Sequence, residues 1–197
     1  MIVSEAFRGK RYAVLGLARS GMAAVRTLVA SGAEVTAWDN KAEARLQAGE
    51  GVTLADPMAI DLAAFDGVIV TPGVPLNSHP IVDKAHDANV PVIGDIELFA
   101  LARPTLPTHK VVGITGTNGK STTTALMLHI LQQAGVPSLM GGNIGLPILS
   151  QDPLQEGGVY VLELSSFQID LTYSLDCDVA VLTNITPDHL DRYDSFL

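Results

Sequence analysis

A glycine-rich stretch, GITGTNGKSTTT at positions 113–124, combines the residue types that bind a phosphate chain. Its glycines let backbone N–H groups converge on an anion, and the helix predicted to follow adds further unpaired N–H groups. Lys120 supplies a positive charge, and the hydroxyl of Ser121 or Thr122 is suited to Mg²⁺. The alternative is a plain strand–turn–helix corner, but turn geometry alone explains the Gly-Lys-Ser-Thr run poorly.

The glycine spacing of this stretch differs by one position from the common phosphate-loop pattern G-x-x-x-x-G-K-[ST]. That pattern requires a glycine at position 114, where the chain has Ile114. The glycines stand instead at Gly113, Gly116 and Gly119. We therefore predict a variant phosphate loop that still binds a nucleoside triphosphate.

A carboxylate and a histidine follow at the ends of later apolar runs. Glu163 ends the run in VYVLELSSFQ, and a buried carboxylate is costly without a partner, so a metal ion is an attractive one. Solvent or a lysine could satisfy it instead. His189 lies in TNITPDHLDRY, but Mg²⁺ prefers oxygen ligands. The chemistry alone therefore leaves His189 equally compatible with a surface position.

A second nucleotide-binding pattern lies near the N-terminus, in VLGLARSGMAA. Of the G-x-G-x-x-G dinucleotide fingerprint, Gly16 and Gly21 fit, but Ala18 replaces the middle glycine. Asp39 ends the next predicted strand, where an NAD-binding domain places its ribose-binding acid. An NAD-type domain is therefore an open alternative for this half of the chain.

The elements that must position these residues alternate between short apolar runs and helical patterns, which predicts an α/β fold with mainly parallel sheets. Predicted strands cover 11–16, 33–39, 65–73, 91–95, 110–115, 136–142, 159–165 and 179–186, and predicted helices cover 20–32, 96–102 and 121–135. The proline-containing stretch 103–109 is predicted to link a Rossmann-like domain at 1–102 to an incomplete P-loop-type ATP-binding domain at 110–197.

Composition limits the function classes. The formal net charge is −9, and no basic run exceeds two residues, which argues against binding nucleic acid or an acidic membrane. The single Cys177 cannot form an internal disulfide and is expected to be structural. The sequence has no long apolar run of a signal peptide or membrane span, so we expect a soluble cytoplasmic protein.

Four motifs taken together resemble a known family. GTNGKST, GGNIGLP, LELSSFQ and TPDHLDRY, in this order and spacing, resemble the Mur ligases of peptidoglycan synthesis. The first motif is shared with folylpolyglutamate synthases, whereas the other three point more sharply to the branch that adds D-glutamate. GDIELF and TPGVP also look like the first domain of that branch, so the resemblance covers essentially the whole chain.

The resemblance implies an ATP-dependent ligase that joins D-glutamate to UDP-N-acetylmuramoyl-L-alanine through an acyl phosphate. By carry-over, the catalytic residues are Lys120, Glu163 and His189, and Mg²⁺ at two sites is bound through Ser121, Glu163 and His189. The residues expected to bind ATP are Gly116, Thr117, Asn118, Gly119, Lys120, Ser121 and Thr122.

The same resemblance assigns the UDP-substrate to residues in both halves of the chain. They are Ala18, Arg19, Ser20, Asp39, Asn40, Lys41, Thr71, Gly73, Asn143, Ser165, Gln168 and His189. Local capping is an alternative role for Asn143, Ser165 and Gln168, and a plain turn is the alternative for Gly73.

Part of the implied machinery is missing from the sequence. The family's other ligand for the second Mg²⁺, a carbamylated lysine, should follow His189, but no lysine follows Lys120. The family's third domain is absent as well, so we expect a fragment, inactive alone, of a monomeric enzyme. A binding-only module, an NAD-type module, or another Mur-like or folylpolyglutamate synthase-like ligase remain alternatives.

Overall fold

The computed structural model describes residues 1–188 and contains two parallel sheets. The first sheet consists of β1 (Arg11–Leu15), β2 (Glu34–Trp38), β3 (Val52–Leu54), β4 (Gly67–Val70) and β5 (Val92–Ile93), in the order β3-β2-β1-β4-β5. Each neighbouring pair is parallel. The strand order reverses between β1 and β4, and such a switch point is where open α/β sheets bind ligands.

Four helices accompany the first sheet: α1 (Arg19–Ala30), α2 (Ala42–Leu46), α3 (Ile81–Asp87) and α4 (Asp95–Ala102). In α1 one face is apolar and packs on the sheet, with Met22, Val25 and Leu28 buried. Gly32 follows this helix with a φ of +80°, a conformation that suits glycine and ends the helix.

The second sheet has the order β7-β8-β6-β9 and is also parallel. Its elements are β6 (His109–Thr115), α5 (Lys120–Gln133), β7 (Ser138–Gly142), β8 (Gly158–Glu163), α6 (Ser166–Ile169) and β9 (Val179–Leu182). Strand β8 is buried along its whole length. The predicted α/β fold class with parallel sheets is therefore confirmed.

The two sheets share one hydrophobic core. Phe99 of α4 packs edge-to-face on Tyr160 of β8, with the ring centroids 5.0 Å apart. Leu149, in the 3₁₀ turn Ile148–Ser150, belongs to the same buried cluster as Leu28 of α1, and its carbonyl accepts a hydrogen bond from Thr27 Oγ1 at 3.1 Å. The predicted linker forms a single 3₁₀ turn at Arg103–Thr105 between α4 and β6.

Helix α4 carries two buried carboxylates with opposite environments. Glu97 accepts hydrogen bonds from the N–H groups of Tyr173 and Ser174, at 2.7 and 2.9 Å, and from the Ser174 hydroxyl at 2.6 Å. Gln168 Nε2 donates to Asp95 Oδ1 at 3.4 Å, and the buried Asp95 Oδ2 has no partner among the described residues. Burial raises the pKa of Asp95, and hydrogen bonds from Gln168 and from the backbone of Asp95 and Ile96 oppose this only in part.

This contrast predicts opposite effects of removing each charge. A raised folded-state pKa means that Asp95 stabilises the fold fully below its unfolded pKa of about 3.9 and loses this contribution as pH rises through the folded pKa. We expect Asp95→Asn to raise the free energy of unfolding near neutral pH by roughly 1–3 kcal/mol. The free energy of unfolding of this variant should also fall less steeply than that of the wild type as pH rises. Glu97→Gln should instead lower it by about 1.5–3 kcal/mol. Urea denaturation at several pH values measures both, and a neutral-pH loss of stability in Asp95→Asn would contradict this assignment.

No helix among residues 1–188 is both long enough and apolar enough to span a membrane.

Candidate nucleotide and substrate site

The stretch between β6 and α5 forms a loop that opens onto the N-terminus of a 14-residue helix. Gly119 is the N-cap of α5 in a left-handed conformation, and no side chain caps the helix. The first N–H groups of any α-helix have no partner within the helix, and together with the helix dipole they favour an anion. The loop therefore has the geometry of an anion-binding site.

The displaced glycines of this loop have physical causes. A Cβ at Gly113, near the end of β6, would lie 2.8 Å from Cys177 Sγ, so glycine there lets the Cys177 side chain pack closely on the strand. Gly116 has a φ of +132°, and a Cβ there would lie 2.2 Å from Thr183 Oγ1. Burial raises the pKa of the Cys177 thiol, which fits the expected structural role rather than that of a nucleophile.

Gly116→Ala should distort the loop, because the added methyl group would collide with Thr183 and with the backbone oxygen of Asn184, 2.8 Å away. We expect ATP affinity to fall roughly 5- to 150-fold, since backbone strain of this kind costs roughly 1–3 kcal/mol. Gly119→Ala is the matched control, because its φ of +84° is strained but no atom lies within 4 Å of the added Cβ. Equal ATP affinities for the two variants in calorimetry would contradict the steric explanation.

Lys120 folds back onto its own loop. Its Nζ donates hydrogen bonds to the carbonyls of Gly116, at 2.7 Å, and Thr117, at 3.0 Å. The ammonium group thus lies at the loop that would surround a phosphate. Ser121 and Thr122 are exposed at the start of α5, so their hydroxyls are accessible to a ligand or an ion.

Glu163 is a buried carboxylate at the end of β8, with a relative exposure of 1%. It pairs in register with Ile114 of β6, which brings it next to the start of the loop. Asn143 Nδ2 donates to Glu163 Oε1 at 2.8 Å, while the buried Oε2 has no partner among the described residues. A buried carboxylate oxygen of this kind fits a Mg²⁺ ligand, because Mg²⁺ binds oxygen and would offset the cost of burial.

The loop after β7 holds Asn143 against Glu163 and also reaches the first half of the chain. The Asn143 N–H donates to the Glu163 carbonyl at 2.8 Å, so both backbone and side chain of Asn143 are fixed by this residue. Further along the same loop, the Gly145 carbonyl accepts a 2.7 Å hydrogen bond from the Arg19 guanidinium. Arg19 therefore connects the start of α1 to the loop after β7.

Ser165 and Gln168 form a capping box at the start of α6. The Ser165 hydroxyl accepts from the Gln168 N–H at 3.3 Å, and Gln168 Oε1 accepts from the Ser165 N–H at 3.3 Å. The Gln168 side chain is buried, and its Nε2 points to Asp95. Both residues thus have the capping role that the sequence left open, and their contact with a substrate stays a prediction.

The first sheet offers a second anion-binding geometry at its switch point. Helix α1 begins after Ala18 with no side-chain cap, so the N–H groups of its first turn are available. Thr71, at the end of β4, is buried against this turn, and a Cβ at Gly16 would lie 2.3 Å from its hydroxyl. Ser20 lies in the first turn, and Gly73 is exposed in the following loop.

Asp39 organises the end of β2. Its Oδ2 accepts from the Leu17 N–H at 2.7 Å and its Oδ1 from the Lys41 N–H at 2.9 Å. Partial burial opposes ionisation, but these donors together with the positive charges of Lys41 and Arg45 hold the pKa of Asp39 below its usual value. Asn40 and Lys41 are exposed beside it.

The structure adds residues that sequence reasoning missed. The Arg45 guanidinium stacks over the Trp38 ring at 4.3 Å and donates to the Asp39 and Asn40 carbonyls. Thr183 and Asn184 contact the phosphate loop. His189 lies outside the described residues, and residues 1–188 contain no cluster of three or more His, Cys, Asp or Glu side chains that could hold a metal.

Taken together, these features define an α/β protein in which a glycine-rich turn and an uncapped helix N-terminus follow an interior strand of each parallel sheet. Two family models match the chain in the same order: "Mur ligase MurD-like, N-terminal domain" over residues 10–94 and "Mur ligase middle domain" over residues 114–197. The chain belongs to the Mur ligase family.

Curated proteins with high sequence identity to this chain carry the name of one Mur ligase. A UDP-N-acetylmuramoylalanine--D-glutamate ligase of Sphingopyxis alaskensis is 72% identical over 197 residues, which are 100% of this chain and 45% of that protein. Enzymes of the same name from Novosphingobium aromaticivorans and Zymomonas mobilis are 69% and 59% identical, over 100% of this chain and 44% and 47% of theirs. The chain thus spans less than half the length of these relatives.

A solved structure of another ligase has a fold similar to that of this chain. It is the UDP-N-acetylmuramate:L-alanyl-gamma-D-glutamyl-meso-diaminopimelate ligase from Neisseria meningitides, which matches with a TM-score of 0.54 at 20% identity. The match covers 94% of this chain and 63% of that chain.

Proposed function

We propose that the chain supplies the UDP-substrate-binding and ATP-binding parts of a ligase that adds D-glutamate to UDP-N-acetylmuramoyl-L-alanine. The observation that carries the proposal is the buried Glu163, whose Oε2 lacks a partner among the described residues, one strand away from a phosphate loop. The names of the curated relatives support the choice of substrates. ATP and Mg²⁺ are expected for the family, and two Mg²⁺ sites are part of the proposal.

Phosphoryl transfer depends mainly on positioning and on neutralising charge. The N-terminus of α5 and the Lys120 ammonium would bind the β- and γ-phosphates of ATP, with Gly116 to Thr122 surrounding them. Ser121 and Glu163 would hold Mg²⁺, and His189 a second ion near the acceptor. Bound Mg²⁺ supplies positive charge that offsets the negative charge of the transferred group.

The reaction that this arrangement serves has two steps. The carboxylate of the L-alanyl group attacks the γ-phosphorus, which forms an acyl phosphate and releases ADP. The amine of D-glutamate then attacks the acyl carbon, and the tetrahedral intermediate expels phosphate to leave an amide. The chain's own part in both steps is to hold the acceptor carboxylate in line with the phosphate and to stabilise the developing charge.

The first sheet would bind the uridine diphosphate. The open N-terminus of α1, with Ala18, Arg19 and Ser20, suits the diphosphate. Asp39, Asn40 and Lys41 would face the uracil or ribose. Five further residues would contact the sugar or peptide part, namely Thr71, Gly73, Asn143, Ser165 and Gln168.

The proposed organisation keeps a UDP-binding domain at 1–102, a connection at 103–109 and an ATP-binding domain from residue 110. The chain is proposed to work in the cytoplasm, as part of a monomer and without nucleic acid or membrane partners. Its charge of −9 and the lack of a basic run support this part of the proposal.

Calorimetry separates this function from the NAD-type alternative. We expect UDP-N-acetylmuramoyl-L-alanine to release or absorb heat on titration into the whole protein, and NAD⁺ to give none. Binding of NAD⁺ without binding of the UDP-sugar would overturn the proposal. The match of residues 10–94 to a Mur ligase N-terminal domain favours the first outcome.

A further inference from the structure

The residues that follow β9 lie against the phosphate loop. Strand β9 runs parallel to β6, and Leu182 pairs in register with Thr115. Because the two strands are parallel neighbours, the residues that follow β6 and those that follow β9 lie side by side at the carboxyl ends of the strands. Segment 183–186, which we call the positioning segment, thus lies beside the phosphate loop between β6 and α5.

Asn184 directs all of its polar side-chain atoms to one loop residue. Its Oδ1 accepts from the Asn118 N–H at 3.0 Å, and its Nδ2 donates to the Asn118 carbonyl at 2.9 Å. The Asn184 backbone carbonyl also accepts from the Thr117 N–H at 2.9 Å. Asn184 therefore fixes the peptide units on both sides of Asn118.

Two threonines complete the contact. Thr183 Oγ1 donates to the Asn118 carbonyl at 2.7 Å, and the Thr183 N–H donates to the Thr115 carbonyl at 3.0 Å. The Thr117 hydroxyl accepts from the Thr186 N–H at 2.9 Å and donates to the Thr186 carbonyl at 3.1 Å. The absence of a Cβ at Gly116 permits this close approach.

These bonds decide which loop N–H groups remain for a ligand. The N–H groups of Thr117 and Asn118 are already used by Asn184. Helix geometry leaves the N–H groups of Lys120, Ser121 and Thr122, at the start of α5, without intrahelical partners, whereas the Thr123 N–H donates to the Gly119 carbonyl. A phosphate would therefore be bound at the helix end of the loop, while the positioning segment holds the other end.

We propose that Thr183 and Asn184 are positioning residues of the phosphate loop. They hold the backbone at 116–118 in the shape that presents the α5 N-terminus and Lys120 to the nucleotide. The inference rests on the proposed function, because it requires the loop to bind ATP. Neither residue was a site candidate from the sequence.

Calorimetric titration of Mg²⁺-ATP into the whole protein tests this role. We expect Asn184→Ala and Thr183→Val to weaken ATP binding roughly 10- to 100-fold, as loss of supporting hydrogen bonds does at other sites. Thr183→Ser keeps the hydroxyl and should restore most of the affinity. Thr53→Val is the matched control, because it makes the same change on the exposed edge strand β3.

Two further readouts separate positioning from general damage. Affinity for UDP-N-acetylmuramoyl-L-alanine should be unchanged in all variants, and the Asn118 amide should exchange its hydrogen faster in Asn184→Ala without nucleotide. Should Asn184→Ala not fold, the Thr183→Val and Thr183→Ser pair decides the question. Normal ATP affinity in the variants would overturn the inference alone, whereas a wild-type protein that does not bind ATP would overturn the proposed function as well.

Discussion

Replacing Lys120 with alanine is expected to reduce kcat for ATP-dependent phosphate release by about 100- to 1,000-fold in the whole protein. Lys120 is the sole cationic side chain between positions 113 and 124, and its Nζ already lies at the loop carbonyls of Gly116 and Thr117. On nucleotide binding, the same ammonium would neutralise charge that develops on the transferred phosphate. No neighbouring loop residue can replace that charge.

Steady-state kinetics with a phosphate-release assay measures this effect. Lys10→Ala is the control, because it removes a lysine charge from an exposed position far along the chain from the loop. The affinity for UDP-N-acetylmuramoyl-L-alanine should be the same in both variants, since the proposed uridine diphosphate site lies on the first sheet. Normal turnover in Lys120→Ala would remove the loop from the mechanism.

Replacing Glu163 with glutamine should lower kcat at least about 100-fold, since loss of the proposed Mg²⁺ ligand should cost at least as much as loss of a group that supports such a ligand. Glutamine has nearly the same size and can still accept the hydrogen bond from Asn143, so the fold should survive. Raising the Mg²⁺ concentration should partly restore kcat, because the variant is expected to bind Mg²⁺ more weakly than the wild type.

The matched control is Glu97→Gln, which makes the same change at another buried glutamate. Glu97 is fully hydrogen-bonded by residues 173 and 174 and lies in α4, outside the proposed site. We expect this variant to lose stability but to keep the wild-type dependence on Mg²⁺. A Glu163→Gln enzyme with unaltered Mg²⁺ dependence would show that the carboxylate does not bind the ion.

The main elements of the fold were predictable because their sequences carry strong local signals. Strand β8 is a continuous apolar run that is buried throughout, and α1 and α5 each follow a glycine-rich turn. The missed elements are short or lack such a signal: β3 has three residues, and α2 has five with none buried. Tertiary contacts rather than local preference stabilise segments of this kind.

The sequence identified candidate site residues where a single residue type carries the proposed chemistry, as with Lys120 and Glu163. It was not predictable where the role depends on a distant partner. Asn184 meets Asn118 across 66 positions of the sequence, and Gln168 meets Asp95 across 73. No local pattern marks such a pair, so the positioning segment and the buried Asp95 became visible only in the folded chain.

An omission series of the phosphate-release assay tests the central claim most directly. The whole protein is assayed with ATP and Mg²⁺, leaving out UDP-N-acetylmuramoyl-L-alanine or D-glutamate in turn. The proposed ligase releases phosphate at its full rate only when both are present, and it forms the amide in equal amount. Phosphate release that needs neither substrate, or no release with both present, would contradict the assignment.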